Sequence, residues 1–539
     1  MIIRSRAARL PVAACAAMLS VGAALMPHAT FAAEGQQWNF SGGDRENTRH
    51  QAHEHKLGPS NVGSLVVKWS LTTAGDVSAT PAVDGDTVYV PDWAGFLYAV
   101  DKRNGQLRWT AHIPSLTGVP NDKARATPAV AEGKVIVGTQ GSILFGGGPG
   151  GRVLAFDKRT GALLWNTTAD PHPAAIITQS ATVHDGRVYV GVASLEEALA
   201  AFVPGYQLSF RGSMLALNLA NGQVLWKTHT VPAVPAGYTG NAIWGSSPAI
   251  DPKRGQIYVA TGNNYTVPQA VLDCVSAAGT DPVAKAACLP ADDHFDSILA
   301  LDMRTGAIRW ATRAIPYDAW TVDCIPFVGD GSNCPEPAGP DYDFGQAPAL
   351  FKAKAGKGKP LELVGAGQKS GQYWALNPDT GAVVWVTQTG PGGTAGGLQW
   401  GSAVDGTRVY TANPNSNAIS WTPLGGPSTT RGGWSALDAT TGQILWQTAD
   451  PLPGAGAGGG PSGPVSSANG VVYGCSLDAA GHMYALNAAT GAVLWSFASG
   501  GSCLSGAAIS GGMLFWGSGY SNLGFGTPNN KLYAFGLPN

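Results

Sequence analysis

The chain has 539 residues, a formal net charge of −2 and only 13% charged residues. That charged share is about half the usual one, and the near-neutral balance excludes bulk attraction to nucleic acid or another strongly charged partner. With 74 glycines, the composition is that of a turn-rich all-β protein, neither disordered nor a coiled coil.

The opening reads as a secretory signal peptide over residues 1–32. Arg4, Arg6 and Arg9 supply its positive start, Leu10 to Met26 is mostly apolar, and Thr30-Phe31-Ala32 is a cleavage site. Val12-Ala13-Ala14-Cys15 has the form of a lipoprotein box but falls before most of the apolar run. Cys15 is therefore assigned to the discarded peptide. No later stretch is long enough to span a membrane. The expected address is periplasmic or secreted. Residues 33–60 read as an N-terminal lead-in, and His50, His53 and His55 within it as a solvated cluster rather than a metal site.

Residues 61–539 are organised by one phrase, Ala-x-Asp/Asn-x-x-x-Gly-x-x-x-Trp. Full copies end at Trp109, Trp165, Trp226, Trp310, Trp385, Trp446 and Trp495. Two halves remain. Trp69 closes a copy that has no opening, and Leu532-Tyr533-Ala534-Phe535 opens one that has no end. Each copy reads as two strands about a tight turn. The Asp or Asn side chain accepts backbone N–H groups and the Gly takes a positive φ. The Trp supplies an apolar plate for packing against a neighbouring sheet. The shortest Trp-to-Trp spacing, 40 residues, is close to the ~40–45 residues of a four-stranded propeller blade. The fold class expected is all-β, an eight-bladed β-propeller closed by joining its N- and C-terminal strands, which leaves no free sheet edge.

Between the copies, the glycine run 146–151 lacks the Lys-Ser/Thr of a phosphate loop and reads as a turn, and Gly454 to Gly463 as a surface loop. Six cysteines follow the signal peptide, and six allow fifteen connectivities. The local pairs Cys274–Cys288 and Cys324–Cys334 are expected, each closing one of the two largest insertions, and Cys475–Cys503 remains. There is no Cys-x-x-Cys-His for a covalently held haem.

Several phrases between the repeats carry a resemblance. His172-Pro173-Ala174-Ala175-Ile176-Ile177-Thr178-Gln179-Ser180, Asp92-Trp93-Ala94-Gly95 and Gly367-Gln368-Lys369-Ser370-Gly371 are similar to the quinoprotein alcohol dehydrogenases, eight-bladed propellers that hold pyrroloquinoline quinone (PQQ) with a metal ion. The polyvinyl alcohol dehydrogenase branch is the nearest. The resemblance implies oxidation of secondary alcohols, polymeric ones included, by hydride transfer to PQQ. It implies Ca²⁺ or a lanthanide beside the cofactor and an external acceptor such as a soluble cytochrome c. It also implies roles for residues. Trp244 is the floor under the quinone. Glu196, with Glu197 as the alternative, and Asn263 bind the metal through hard oxygens. Lys369 stands at the quinone carbonyl, where many relatives have Arg. Arg125, Thr178 and Gln399 face the cofactor's polar edge.

The chain departs from the family in three ways: it has no adjacent cysteine pair, it has Lys in place of Arg, and Thr321 stands where the base is usually an Asp. Neutral threonine is no base for an alcohol. Were Trp320 to Cys324 extended, Asp323 would share Thr321's face, so Asp323 is the expected base or an extra metal ligand, with Asp318 as the alternative. Two rival readings stay open. One is a non-catalytic scaffold like the outer-membrane assembly lipoprotein. The other is a degenerate protein that binds PQQ without turnover.

Overall fold

In the computed structural model the repeated phrase folds as the outer half of a blade. In the first copy Ala99 lies on the third strand, Phe96–Asp101, and pairs directly with Trp109 on the fourth, Leu107–His112. The same Ala–Trp pairing recurs at every full copy. The structure describes Met1 and residues 36–141, 150–233, 237–354, 359–452 and 459–539. The signal peptide with Cys15, most of the 146–151 turn and part of the Gly454–Gly463 loop lie outside the described residues.

Eight antiparallel sheets follow one another as blades, seven of four strands and one, the third, extended to five. Their innermost strands are Ala82–Asp84, Ala129–Ala131, Thr182–His184, Ala249–Asp251, Ala349–Ala353, Ala403–Val404, Ser466–Ala468 and Ala508–Ile509. We number the blades 1–8 in that order. Blade 8 takes three strands from the C-terminus and its outermost from Val66–Thr72. There Trp69 pairs with Ala534, so the two half-phrases complete one another.

Neighbouring blades interlock through the phrase. Seven of the eight Trp residues, all but Trp495, lay the ring over the phrase glycine of the next blade. The seven glycines have φ between +73° and +75°, and a Cβ on any of them would fall 2.5–2.8 Å from the preceding Trp ring. The indole N–H donates to a carbonyl of the same turn, as Trp109 does to Lys158 O at 3.0 Å. Trp385 is an exception, its Nε1 being buried without a partner. In five blades a Thr two residues after the Trp adds a hydroxyl bond to the glycine carbonyl, at 2.7–2.8 Å. A residue that must be glycine, a large plate and two hydrogen bonds form the unit of assembly.

The lead-in is not a solvated segment. It runs through the centre of the ring and supplies partners to innermost strands that would otherwise present bare backbone groups there. Trp38 pairs with Val83, Asn39 O accepts from Val130 N–H, Arg45 O from Ile250, Glu46 O from Leu350, Thr48 O from Val404 and Arg49 O from Ser467. Arg45 reaches His184 of blade 3, and the Gln51 amide donates to Ile509 O of blade 8. His50 bonds Ser467 Oγ at 2.9 Å, a structural role. Arg49 is fully buried, and its guanidinium donates to Val465 O and Ser41 O at 2.6 Å each.

All three expected disulfides are present: Cys274–Cys288, Cys324–Cys334 and Cys475–Cys503. The first ties two helices, Gln269–Ala278 and Pro282–Ala287. The second closes a loop against the helix Glu196–Phe202, where the Asn333 amide donates to Ala200 O. No helix among the described residues is long and apolar enough to cross a membrane.

Candidate active site

A cavity of about 270 Å³ opens at one end of the ring axis. Its walls follow a register set by the blades. The fourth residue before an innermost strand lines it in six of the eight: Arg125, Thr178, Gly345, Gln399, Ser462 and Leu504. Trp244 enters five residues before its strand. Arg49 of the lead-in lies just beneath, its side chain beside Gly401 and Gly506, one or two residues after the cavity-lining Trp400 and Leu504.

Trp244 is fixed by its backbone, since the Thr178 hydroxyl donates to its carbonyl. Its indole Nε1 is buried without a partner. A Cβ on Gly262 would stand 2.8 Å from that nitrogen, so only glycine fits beneath the ring. Arg125 is caged by aromatic rings. Its guanidinium carbon is 4.8 Å from the Trp400 ring centre, 5.4 Å from Trp93 and 5.8 Å from Tyr520. It has no ion pair among the described residues, so its charge is held by π-faces and left available to an anion.

Opposite lies a cluster of charge. Lys369 Nζ donates to Asp341 Oδ1 at 2.8 Å and to Asp343 Oδ2 at 2.9 Å. Burial pulls the Lys369 ammonium down, but Asp341, Asp343 and Glu197 outweigh it and hold it well above the ordinary lysine range. Glu197 lines the cavity with Oε2 buried and unpartnered. Burial, aided by the charge of Asp343 and opposed by Lys369, pushes its carboxyl up to about 8. Asn263 donates its amide to Asn264 O and Trp320 O, which leaves Oδ1 buried with no donor. An orphaned carboxylate oxygen and an orphaned amide oxygen are costly to bury alone. Both are hard oxygen donors that a cation would satisfy. Among the described residues no three of His, Cys, Asp and Glu are arranged to hold a metal by themselves. A cation here would need oxygens from a bound partner.

Three expectations are corrected. Glu196 is one residue from the cavity wall but fully buried elsewhere. Its carboxylate accepts from Ser209 N–H at 2.8 Å and Phe210 N–H at 2.7 Å, with His172 3.2 Å away. It is a structural cap, and Glu197 takes its place at the cavity. Asp323 does not face the site, because Val322–Cys324 is a 3₁₀ turn rather than extended. Its oxygens accept from Gly331 N–H at 3.0 Å and Asn333 N–H at 2.7 Å, which shapes the disulfide loop. Val322 and Ile325 line the cavity instead. Asp318 is fully buried, and its oxygens accept from the N–H groups of Asp341 and Tyr342. Burial lifts it to about 7 against those donors.

Of the residues expected from sequence, Trp244, Lys369, Arg125, Thr178 and Gln399 share the cavity wall, and Asn263 adjoins it through its N–H to Asp343 Oδ1 at 2.6 Å. Sequence reading missed Asp341 and Asp343. They lie eight and six residues before the innermost strand Ala349–Ala353, outside the four-residue register of Arg125 and Thr178, so the repeat does not point to them.

The chain matches the family model described as outer membrane protein assembly factor BamB over residues 61–312 and 430–523. It is 31% identical to a polyvinyl alcohol dehydrogenase of a Pseudomonas species, over 93% of this chain and 77% of that one. The polyvinyl alcohol dehydrogenase of Sphingopyxis sp. (strain 113P3) is 30% identical over 93% and 76%. Among solved structures, the quinohemoprotein alcohol dehydrogenase of Comamonas testosteroni superposes with a TM-score of 0.66 at 19% identity, over 93% of this chain and 80% of that one. With its eight interlocked blades and this extent of identity, the chain belongs to the quinoprotein alcohol dehydrogenase family of β-propellers, in its polyvinyl alcohol dehydrogenase branch.

Proposed function

We propose that this chain is a PQQ-dependent alcohol dehydrogenase of the periplasm that oxidises secondary alcohols, polymeric ones included, and delivers the electrons to an external acceptor such as a soluble cytochrome c. The observation that carries the reading is the pair of buried, unpartnered oxygens: Glu197 Oε2, on the cavity wall that Trp244 also lines, and Asn263 Oδ1, whose backbone N–H donates to the wall residue Asp343. Glu197 and Asn263 would hold a cation through these oxygens, and Trp244 would offer its ring to an aromatic, polyanionic cofactor. Ca²⁺ or a lanthanide suits such oxygens. The alcohol and acceptor rest on the names of the relatives.

When bound, PQQ supplies an ortho-quinone that takes a hydride from the carbinol carbon. The chain's own residues do the rest. Trp244 offers the stacking plate. Arg125, without a carboxylate partner, is free to pair with a carboxylate of the cofactor. Lys369, its position set by two carboxylates, would present positive charge to the bound quinone. The apolar wall of Trp320, Val322 and Ile325 excludes water.

The test is reconstitution of the purified protein with PQQ and either Ca²⁺ or a lanthanide, followed by titration and by dye reduction with a secondary alcohol. Cation-dependent binding with turnover is expected. Binding that is unchanged in excess chelator would refute the cation site. Binding without turnover would favour the degenerate reading, and no binding would favour the scaffold. The scaffold finds support in the BamB family model, but it gives no use to a buried cluster of three carboxylates and one lysine.

A further inference from the structure

Two apolar runs lie exposed at the mouth of the cavity. The loop closed by Cys324–Cys334 rests against the helix Glu196–Phe202, where a Cβ on Gly329 would stand 3.1 Å from Ala201 Cα and the Asn333 amide donates to Ala200 O. Ile325-Pro326-Phe327-Val328 precedes that contact on the loop, and Phe202-Val203-Pro204 follows it on the helix. Every residue of both runs is exposed, and none is ionisable. Among the described residues only two phenylalanines are exposed, Phe202 by half and Phe327 completely, and both are here. Phe327 is also held in an unusual place. Val328 N–H donates to Ile325 O at 3.1 Å and closes a turn over Pro326 and Phe327, with Phe327 at φ +69°. That position of a turn ordinarily takes glycine, and a bulky residue rarely adopts such a backbone. The disulfide and the bonds from Gly331 and Asn333 N–H to Asp323 fix the loop that presents it. An aromatic ring displayed to solvent on a strained, stapled turn points to a ligand.

We propose that these runs form one strip that binds the hydrocarbon chain of the substrate outside the cavity. The preferred alcohol is then chain-like, with its carbinol carbon in the cavity and its further carbons along Phe327 and Phe202. This rests on the reading of the chain as an alcohol dehydrogenase. Continuity carries the assignment. Both segments begin on the cavity wall, the helix at Leu195 and Glu197 and the loop at Val322 and Ile325. The cavity, at about 270 Å³, is at the small end of the ~300–1,000 Å³ that pockets offer a single ligand. It has no room for a cofactor and a long alcohol together, so the rest of a long alcohol passes over this rim. A specific protein partner would cover ~20–30 residues a side and would be steered by charge. A narrow strip without charge suits a thin aliphatic chain instead.

The test uses the full chain and two kinds of measurement. In gels containing polyvinyl alcohol, wild type should migrate more slowly than in plain gels, with or without PQQ. Phe327→Gly and Phe202→Ser should each lose most of that retardation. In protein reconstituted with PQQ and Ca²⁺, with a small dye as acceptor, Phe327→Gly should raise KM for 2-octanol by about five- to tenfold. Its kcat for 2-octanol, and both constants for 2-propanol, should stay within about twofold of wild type. Glycine suits the turn, so Phe327→Gly should melt no lower than wild type, and a lower melting point would overturn the proposal by making Phe327 a structural residue. Retardation and KM values unmoved by both substitutions would also overturn it. So would an effect confined to the KM for a soluble cytochrome c used as acceptor, which would give the strip to the acceptor. A wild type that never turns over sinks the functional reading instead, and the gels alone then decide the strip.

Discussion

Gly442→Ala tests the interlock between blades 5 and 6, and Gly133→Ala is its control. The two glycines have almost the same backbone, φ +74° and φ +75°. Alanine pays the same left-handed penalty at both, ~1–2 kcal/mol, and makes the same change in unfolded-chain entropy. Their surroundings differ. A Cβ on Gly133 meets nothing within 4 Å, whereas one on Gly442 falls 2.5 Å from Trp385 Cε3 and 2.6 Å from Thr387 Oγ1. Trp385 is 8% exposed and its hydroxyl neighbour bonds the Gly442 carbonyl at 2.7 Å, so neither can retreat freely. Overpacking of this kind costs ~1–3 kcal/mol. Gly442→Ala should therefore lose ~1–3 kcal/mol more than Gly133→Ala, read from urea midpoints at unchanged slope. In a Trp385→Ala background the excess should shrink, since the obstructing ring is gone and only the Thr387 hydroxyl remains in the way. Equal losses at the two glycines, or an excess undiminished by removal of the ring, would refute the interlock.

The neighbouring glutamates should separate cleanly. Glu197→Ala should abolish cation-dependent PQQ binding with little loss of stability. Glu196→Ala should instead lower the unfolding midpoint, by ~1–3 kcal/mol per orphaned donor, because Ser209 and Phe210 lose their acceptor. The reverse pattern in paired melts and titrations would restore Glu196 to the site. Trp244→Ala should weaken PQQ binding at an unchanged melting temperature, checked by titration and calorimetry. The pH dependence of the cofactor-free protein should carry the mark of Glu197. Its folded carboxyl keeps a proton up to about 8, while the unfolded chain releases it near the ordinary glutamate value of 4.5. Its contribution to stability is therefore present below 4.5 and is lost as pH rises through 8. Glu197→Gln should flatten that loss in urea midpoints taken at pH 5 and pH 8.5, and identical slopes in the two proteins would refute the assignment.

The fold was readable because its assembly unit is written in a fixed local spacing. Ala, Gly and Trp of one phrase sit on one hairpin, and the half-phrases at Trp69 and Ala534 announced the closure. The disulfides were readable for the same reason, as cysteines close in sequence. The site was readable where it kept the blade register, as at Arg125, Thr178 and Gln399. It was not where local conformation decides the direction of a side chain. Glu196 and Glu197 begin a helix, so neighbours turn to different surroundings. Asp323 was placed by assuming an extended strand where the chain makes a 3₁₀ turn. Asp341 and Asp343 follow a long insertion whose length hides their register from the sequence. They stand outside the four-residue register that places Arg125, Thr178 and Gln399, and only the folded structure brings them to the cavity wall.

The lead-in has a consequence for how the molecule is made. Residues 38–51 precede every blade in the chain, yet their contacts with blades 7 and 8 span more than 400 positions, as between Arg49 and Val465 or Gln51 and Ile509. A chain growing from its N-terminus can pair this segment with the early blades at once, as at Trp38 and Val83, but its contacts with blades 7 and 8 wait until those blades exist. Pairings so distant in sequence make folding slow and leave strand edges open to wrong partners meanwhile. Completion of the ring then requires the last two blades to close on this early segment, together with capture of Val66–Thr72 by the C-terminal strand. Because that segment also lies beneath Trp400 and Leu504, the floor of the cavity is finished only when the ring is. A partly closed propeller has no site, and the cofactor has nothing to bind until the whole chain is in place.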